Sequence, residues 1–245
     1  MNDLDIKVIA SGSSGNCSII DNKIMIDIGI KKKDRELLIP FLDDIKVIII
    51  THRHTDHIQI PMMKWIIEEY PDITFMYIED VRYFLDEKLI RKQKGETIPI
   101  EVPKEHILEL NKLYNLGFVK FKTVGIEHDV PNIGLYMAFK NGDRLFYATD
   151  THDLNNVRIP SKTNYIMIEH HHLDWHYDQI IEEKMNDESE PYIHELQAKN
   201  VHQSFEQAND FLLANKIKAA TVYRMHMSSD EYYRDMDLIY EFKGE

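Results

Sequence analysis

A single cysteine, Cys17, stands among the 245 residues. No internal disulfide can form, which excludes a stapled secreted scaffold and a cysteine-rich zinc module together. Any metal must therefore be held by histidine and carboxylate side chains. Positive charge is also short: 29 Lys and Arg face 42 Asp and Glu, for a formal net charge of −13. Nucleic-acid binding generally draws on Lys and Arg that displace condensed counterions, so a duplex groove is not the default expectation for so acidic a chain. Two short basic runs, 31–33 and 91–94, read as solvated helix ends. Long apolar runs are missing too, since segments such as 46–51 fall far short of the roughly 20 residues of a membrane span. The N-terminus carries no signal-peptide pattern. A soluble, cytoplasmic protein with no membrane partner is expected. No linker or short-period repeat interrupts the chain, and 43% hydrophobic residues suffice for a large core, so one domain over 1–245 is expected.

Residues 6–10, 17–20 and 23–28 read as strands of a small meander, with Ser11-Gly12-Ser13-Ser14-Gly15-Asn16 as its glycine-rich tip. A short helix over 33–42 precedes the continuous β-branched run 46–50, which suits a strand buried on both faces. Helices over 61–69 and 80–92 flank a strand at 74–78, a βαβ arrangement. The second half predicts strands at 106–110, 118–126, 134–139, 145–149 and 165–169, then helices over 204–215 and 229–242 with a strand at 218–223 between them. The acidic stretch 182–190, followed by Pro191, has no apolar period and reads as a surface loop. Together these elements predict an α/β protein with two sheets packed face to face and helices outside.

Directly after the buried strand comes Thr51-His52-Arg53-His54-Thr55-Asp56-His57. His52 and His54 are two apart, so in extended chain their side chains lie on one side and can grip one ion. Asp56 and His57 follow where the chain turns toward a helix. Four candidate ligands within so short a segment suit two adjacent metals, and imidazole with carboxylate suits zinc, manganese or iron.

His52-x-His54-x-Asp56-His57 resembles the signature of the metallo-β-lactamase superfamily, whose fold is a four-layer αβ/βα sandwich with its metals at the strand edges. The resemblance extends from Ile6 to Ser228. Asp27, in Met25-Ile26-Asp27-Ile28-Gly29, matches the early aspartate that supports the site, and it is expected to orient a ligand by a hydrogen bond rather than touch metal. His128, Asp150 and His226 match the third histidine of the first metal, the shared carboxylate and the last histidine. The resemblance implies His52, His54 and His128 on one divalent ion, Asp56, His57 and His226 on a second, and Asp150 on both. Two such ions, zinc or manganese, about 3.5–4 Å apart would hold a bridging hydroxide ready for attack. Asp56 would contribute by hydrogen bonding to it as well as by ligating.

The fold hosts several hydrolyses, so neighbouring residues must select among them. The tip Ser11 to Cys17 resembles the opening of the small bacterial YycJ/WalJ-type branch, whose members look like phosphodiester-cleaving enzymes. Glycines and small hydroxyl residues let backbone N–H groups approach an anion, and Ser13, Ser14 and Asn16 add candidate phosphate donors; a plain tight turn accounts for the same residues. Glu169-His170-His171-His172 lies where that branch has Glu-Ser-Asn-His, and Val201-His202-Gln203-Ser204 where it has Gly-His-Leu-Ser. His202 and His172 are therefore expected to bind a phosphate oxygen or protonate a leaving alkoxide. His170, His171 and Val201 depart from the branch and predict an altered pocket. The resemblance implies a nuclease acting on DNA or RNA. The charge favours instead a phosphodiesterase of small or cyclic nucleotides, of the kind phages use to destroy such signals. A lactonase, a thioesterase or an idle binding module ranks lower, and a homo-oligomer is compatible with the sequence.

Overall fold

The structure, a computed structural model, describes residues 3–93, 95–186 and 194–244. Lys94 of the second basic run and residues 187–191 of the acidic stretch with its proline lie outside the described residues. The chain divides into two compact units, Met1–Glu109 and Leu110–Glu245.

The first unit is built on a six-stranded sheet in the order β1-β2-β3-β4-β5-β8. β1 (Ile6–Ala10), β2 (Cys17–Ile20) and β3 (Ile24–Ile26) form the expected antiparallel meander. β3, β4 (Val47–Ile50), β5 (Thr74–Ile78) and β8 (Glu105–Leu108) then run parallel. All four β4 side chains are buried, as the unbroken β-branched run requires. The parallel register aligns the carboxyl ends of β3 and β4, the edge at which ligands collect in α/β sheets.

Local chemistry modifies the helices expected in this unit. The segment 33–42 is split into a 3₁₀ turn, Lys32–Leu37, and a short helix α1 (Ile39–Leu42). Asp34 leaves helical geometry, and Pro40 occupies the first turn of α1, where a missing N–H is tolerated but a longer preceding helix is not. α2 (Ile60–Glu69) matches expectation. α3 ends early, at Lys88 (Glu79–Lys88). Beyond it β6 (Ile90–Gln93) and β7 (Glu96–Pro99) form a separate hairpin, with Gly95 at φ 85°, a backbone state that glycine adopts without strain.

The second unit holds a seven-stranded sheet in the order β15-β14-β13-β12-β11-β10-β9. β9 (Leu113–Asn115), β10 (Val119–Ile126), β11 (Asn132–Phe139) and β12 (Arg144–Ala148) are antiparallel. β12, β13 (Tyr165–Glu169) and β14 (Ala219–Met225) are parallel, so three carboxyl ends again share one edge. Phe146, Ile166, Ile168 and Val222 pack with Ala208, Phe211 and Leu212 to form this unit's core. α4 (Asp174–Met185) and α5 (His194–Val201) were not expected, and α4 takes in residues 182–185 of the predicted loop. Each buries one residue, Tyr177 and Ala198 respectively, so neither displays the apolar stripe that marks a helix in sequence. α6 (Phe205–Ala214) is as expected and opens with a capping box between Ser204 and Gln207.

The expected helix over 229–242 is absent. Asp230 accepts from the N–H of Tyr232 at 2.8 Å and closes a single 3₁₀ turn, Glu231–Tyr233. β15 (Ile239–Lys243) then pairs antiparallel with β14 along its full length. Arg224 of β14 covers the Tyr240 ring at 4.4 Å. Pairing along a long partner strand has overridden local helix preference.

Phe146 and Phe211 meet at 5.4 Å between ring centroids at the centre of the second unit's core. Phe146→Ala should lower unfolding stability by about 3–5 kcal/mol through lost transfer energy and the cavity left behind, measurable by urea titration.

Candidate metal centre

In the first unit three segments lace together at the ends of β3 and β4. Asp27 is fully buried and follows β3 in the left-handed region at φ 62°. Its Oδ1 accepts from the N–H of Thr51 at 2.8 Å, the Thr51 hydroxyl donates to the same carboxylate, and Oδ2 meets His57 Nδ1 at 2.7 Å. A carboxylate can only accept, so His57 carries its proton on Nδ1 and presents Nε2 as a lone pair. The His52 ring lies 4.9 Å from that of His54 and 4.0 Å from that of His57. His52 and His57 are buried, and His54 and Asp56 are half-buried. The unit therefore gathers all four candidate ligands of the histidine motif with Asp27 beside them.

The serine-glycine tip has a different place from the phosphate cradle expected of it. Asn16 is fully buried. Its Oδ1 accepts from Gly12 N–H at 2.9 Å, while its Nδ2 lies 2.9 Å from His57 Nε2 and 3.3 Å from Asp56 Oδ2. The side chain is committed to the ligand loop rather than turned toward solvent, whereas Ser13 and Ser14 are exposed in the turn. Asn16 N–H donates to Asp56 O at 2.7 Å, and Gly29 N–H to Asn16 O at 2.9 Å. Gly29 has no room for a side chain: a Cβ there would sit 1.7 Å from Asp56 O.

The second unit brings a matching set to the ends of β12, β13 and β14. Asp150 and His226 lie in the left-handed region at φ 54° and 52°, and His226 Nε2 is 3.3 Å from Asp150 Oδ1. Asn132 Nδ2 pins the Asp150 loop by donating to the carbonyls of Thr149 and Asp150 at 2.9 and 2.8 Å. Glu169, buried at the end of β13, was not foreseen as a site residue. Its Oε1 meets His202 Nδ1 at 2.7 Å and His226 Nδ1 at 3.1 Å, while Oε2 accepts from Thr151 N–H at 2.8 Å. Ligand atoms of Asp150, Glu169, His202 and His226 all lie within 4.8 Å of one another. The His128 ring is 6.3 Å from that of His202. His172 is buried, and its ring stacks on Tyr177 at 4.4 Å; it is walled in by protein where contact with substrate was expected. A signal for Glu169 existed: it is the one ionisable residue ending the otherwise apolar run Ile166-Met167-Ile168.

Electrostatics follow from burial and pairing. Burial alone would raise the Glu169 carboxyl, but the charge and hydrogen bonds of His202 and His226 outweigh it and hold the group at about 2. Burial opposes protonation of His202, while Glu169 more than compensates and raises it above the ordinary histidine value. Burial pushes His171 well down and both His170 and His172 to about 4. Cys17 is buried, and desolvation followed by the nearby Asp27 charge raises its thiol far above the ordinary range, which disfavours the thiolate.

The β-lactamase superfamily domain matches residues 23–227, and the chain belongs to that superfamily. Two solved structures align over most of its length. One is the metallo-β-lactamase fold protein YhfI from Bacillus subtilis, at 12% identity and TM-score 0.61, covering 94% of this chain and 88% of that one. The other is the short form of human tRNase Z, at 14% and 0.59, covering 94% and 93%. They establish the expected α/β class as the metallo-β-lactamase fold. Among curated proteins the chain is similar to exodeoxyribonuclease WalJ of Streptococcus pneumoniae serotype 2, 26% identical over 155 residues that make up 59% of this chain and 53% of WalJ. It is also similar to exodeoxyribonuclease YycJ of Bacillus anthracis, 24% identical over 155 residues, 60% and 54% of the two chains. The chain thus spans about half the length of the curated relatives it matches, and the expected kinship with the YycJ/WalJ branch holds. Among the described residues no helix is long and apolar enough to cross a membrane.

Gly29→Ala should cost about 3 kcal/mol or more, because the clash is with backbone that cannot rotate away; a fall in thermal midpoint with loss of metal uptake is the expected readout. A second outcome concerns acid. His170, held between Ile168 O and Tyr240 Oη, titrates at about 4 in the folded chain and near 6.5 when unfolded. The unfolded state thus binds more protons between those values. The contribution is intact above about 6.5 and is lost as pH falls through about 4, up to about 3 kcal/mol in all. Chemical denaturation across that window should show it, and His170→Phe should flatten the acid limb.

Proposed function

We propose that this chain is a metal-dependent phosphodiester hydrolase acting on nucleic acid. The observation that carries the reading is the pair of carboxylate-anchored histidine sets, Asp27 with His57 and Glu169 with His202 and His226, at the carboxyl edges of parallel strands. The curated relatives' exodeoxyribonuclease names supply the substrate class. The family match crosses both units, and we read them as halves of one hydrolase domain.

The donor chemistry fits divalent cations. Nitrogen and oxygen ligands without thiolate accept zinc or manganese, and the carboxylates behind His57, His202 and His226 are partners of the kind that fix tautomer and basicity in metal sites. His52, His54 and His128 would hold one ion, Asp56, His57 and His226 a second, with Asp150 shared. Such a pair lowers the pKa of water and offsets charge on phosphoryl oxygens.

The chain's own groups do the rest. Asp56, held by Asn16, accepts the proton of the attacking water. His202 turns Nδ1 to Glu169 and leaves Nε2 to give a proton to the departing oxygen, a task suited to a histidine whose protonated form the neighbouring carboxylate favours. His172 supports His171 and His202 from behind through Tyr177. A second reading, cleavage of small or cyclic nucleotides, is favoured by the net charge of −13.

Dialysis against a chelator should abolish hydrolysis, and zinc or manganese should restore it. Asp150→Asn should lower kcat by about a thousandfold, the scale of losing a principal electrostatic group at a reaction centre, with the chain still folded by circular dichroism. Undiminished turnover after either treatment rules the reading out. Activity on cyclic mononucleotides with none on DNA or RNA selects the second reading.

A further inference from the structure

Aromatic rings run unbroken from solvent to the histidines of the second unit. Trp175 and Tyr232 are 53% and 45% exposed and meet edge to face at 5.7 Å. His176 lies 5.5 Å from Trp175 and 4.3 Å from Tyr232. Inward, His176 is 6.4 Å from Tyr177, which stands edge-on to His171 at 6.0 Å. His171 stacks on His202 at 4.3 Å and 9°, and His202 on His226 at 4.9 Å.

The outer pair is held in place by buried structure. Tyr233 is buried, and its hydroxyl oxygen accepts from the N–H of Leu173 and bonds His176 Nδ1, both at 3.0 Å. Asp230 caps the turn that carries Tyr232, and Tyr177 donates to Ser228 Oγ at 2.9 Å, two residues beyond His226. Two large rings thus stand preorganised in water, one in the first turn of α4 after His172 and one in the 3₁₀ turn after His226. Clustered rather than scattered exposure of this kind marks a binding surface.

The chemistry of the ligand follows from the neighbouring charges. Asp174, Asp230 and Glu231 flank the rings in sequence, and the nearby cations are engaged, Lys199 with Asp178 at 2.6 Å and Arg234 with Glu231 at 3.1 Å. The surface therefore presents π-faces among carboxylates, with its nearest cations already in ion pairs. We propose that Trp175 and Tyr232 form a stacking platform for an unpaired base of single-stranded nucleic acid. In a duplex the bases are already stacked on each other, so only an unpaired base has a free face to offer. His176 and Tyr177 intervene between the platform and the histidines, so the base held belongs to a nucleotide beyond the one cleaved. The inference rests on the nucleic-acid reading above and selects a polynucleotide over a mononucleotide as substrate.

The test uses the full-length chain carrying Asp150→Asn, so that bound strand is not consumed. A single-stranded oligothymidylate should quench tryptophan fluorescence and bind about tenfold more tightly than the same length of abasic strand, the scale of one base on one aromatic ring. Trp175→Ala should remove the quench and raise Kd about tenfold, with Trp175→Phe keeping most of the affinity. Tyr232→Ala should weaken binding in the same direction. Equal Kd for thymidylate and abasic strands, or an unchanged Kd in both alanine variants, overturns the platform. Hydrolysis of bis(p-nitrophenyl) phosphate by the wild-type chain is followed in parallel: if it proceeds while the strand results are negative, the platform alone fails, and if it is absent, the hydrolase reading fails.

Discussion

The site depends on two buried carboxylates that have histidine nitrogens to hold. Asp27 and Glu169 are both fully buried at the ends of parallel strands, where an unpaired charge would be strongly destabilising. Each is satisfied in the same way. One oxygen takes a backbone N–H from a neighbouring strand end, Thr51 for Asp27 and Thr151 for Glu169, and the other takes an imidazole Nδ1. The backbone bond fixes the carboxylate, and the carboxylate fixes the ring. Each ring is thereby oriented with Nε2 turned away from its carboxylate, a geometry that loose histidines on a polar loop would not hold.

Backbone strain marks the same positions. Asp27, Asp150 and His226 all adopt left-handed φ, a state that costs a residue with a side chain of order 1 kcal/mol or more and persists only where surroundings impose it. The bend lets a strand end abruptly and point its next side chain over the sheet edge rather than along it. Asn132 enforces it at Asp150 through two carbonyls. At Asp27 the bonds of its carboxylate to Thr51 and His57 accompany the bend, and the close approach of Gly29 to the Asp56 carbonyl ties the histidine loop to the segment after β3. Glycine there serves close approach rather than flexibility.

The histidine motif and the strands leading into it were legible because both signals are local. An all-apolar β-branched run announces a buried parallel strand, and His52, His54, Asp56 and His57 follow without interruption. Asp27, Asp150 and His226 stand out because each falls at the end of an expected strand, and a family pattern set their order. Glu169 ends an apolar strand run, but its role lies in partners 33 and 57 residues away, which that local signal does not identify. The place of Asn16 was hidden for the same reason: both a phosphate donor and a plain turn suit a polar residue in a glycine-rich tip, and its bond to a loop 40 residues on is not encoded locally. The strand read as a helix after residue 229 shows the other side of this limit, since β15 exists only because β14 offers it an edge.

Acidity and substrate class are reconciled by where the positive charge is spent. Arg53 pairs with Asp80, Arg91 with Glu68, Lys104 with Asp72 and Lys184 with Glu195. Cations so paired have little charge left over to displace counterions from a polyanion. Affinity for a strand would then come from short-range terms, the ions at the histidine edge and the ring surface beside it, rather than from a long-range positive field. Such an enzyme gives up electrostatic steering, which speeds encounter with any nucleic acid. In exchange, an enzyme of the proposed kind would hold duplex weakly, because duplex offers phosphates and few open bases. On the proposed function, a net charge of −13 would disfavour non-specific residence on DNA and leave strand ends and unpaired segments as the places where the short-range attractions act together.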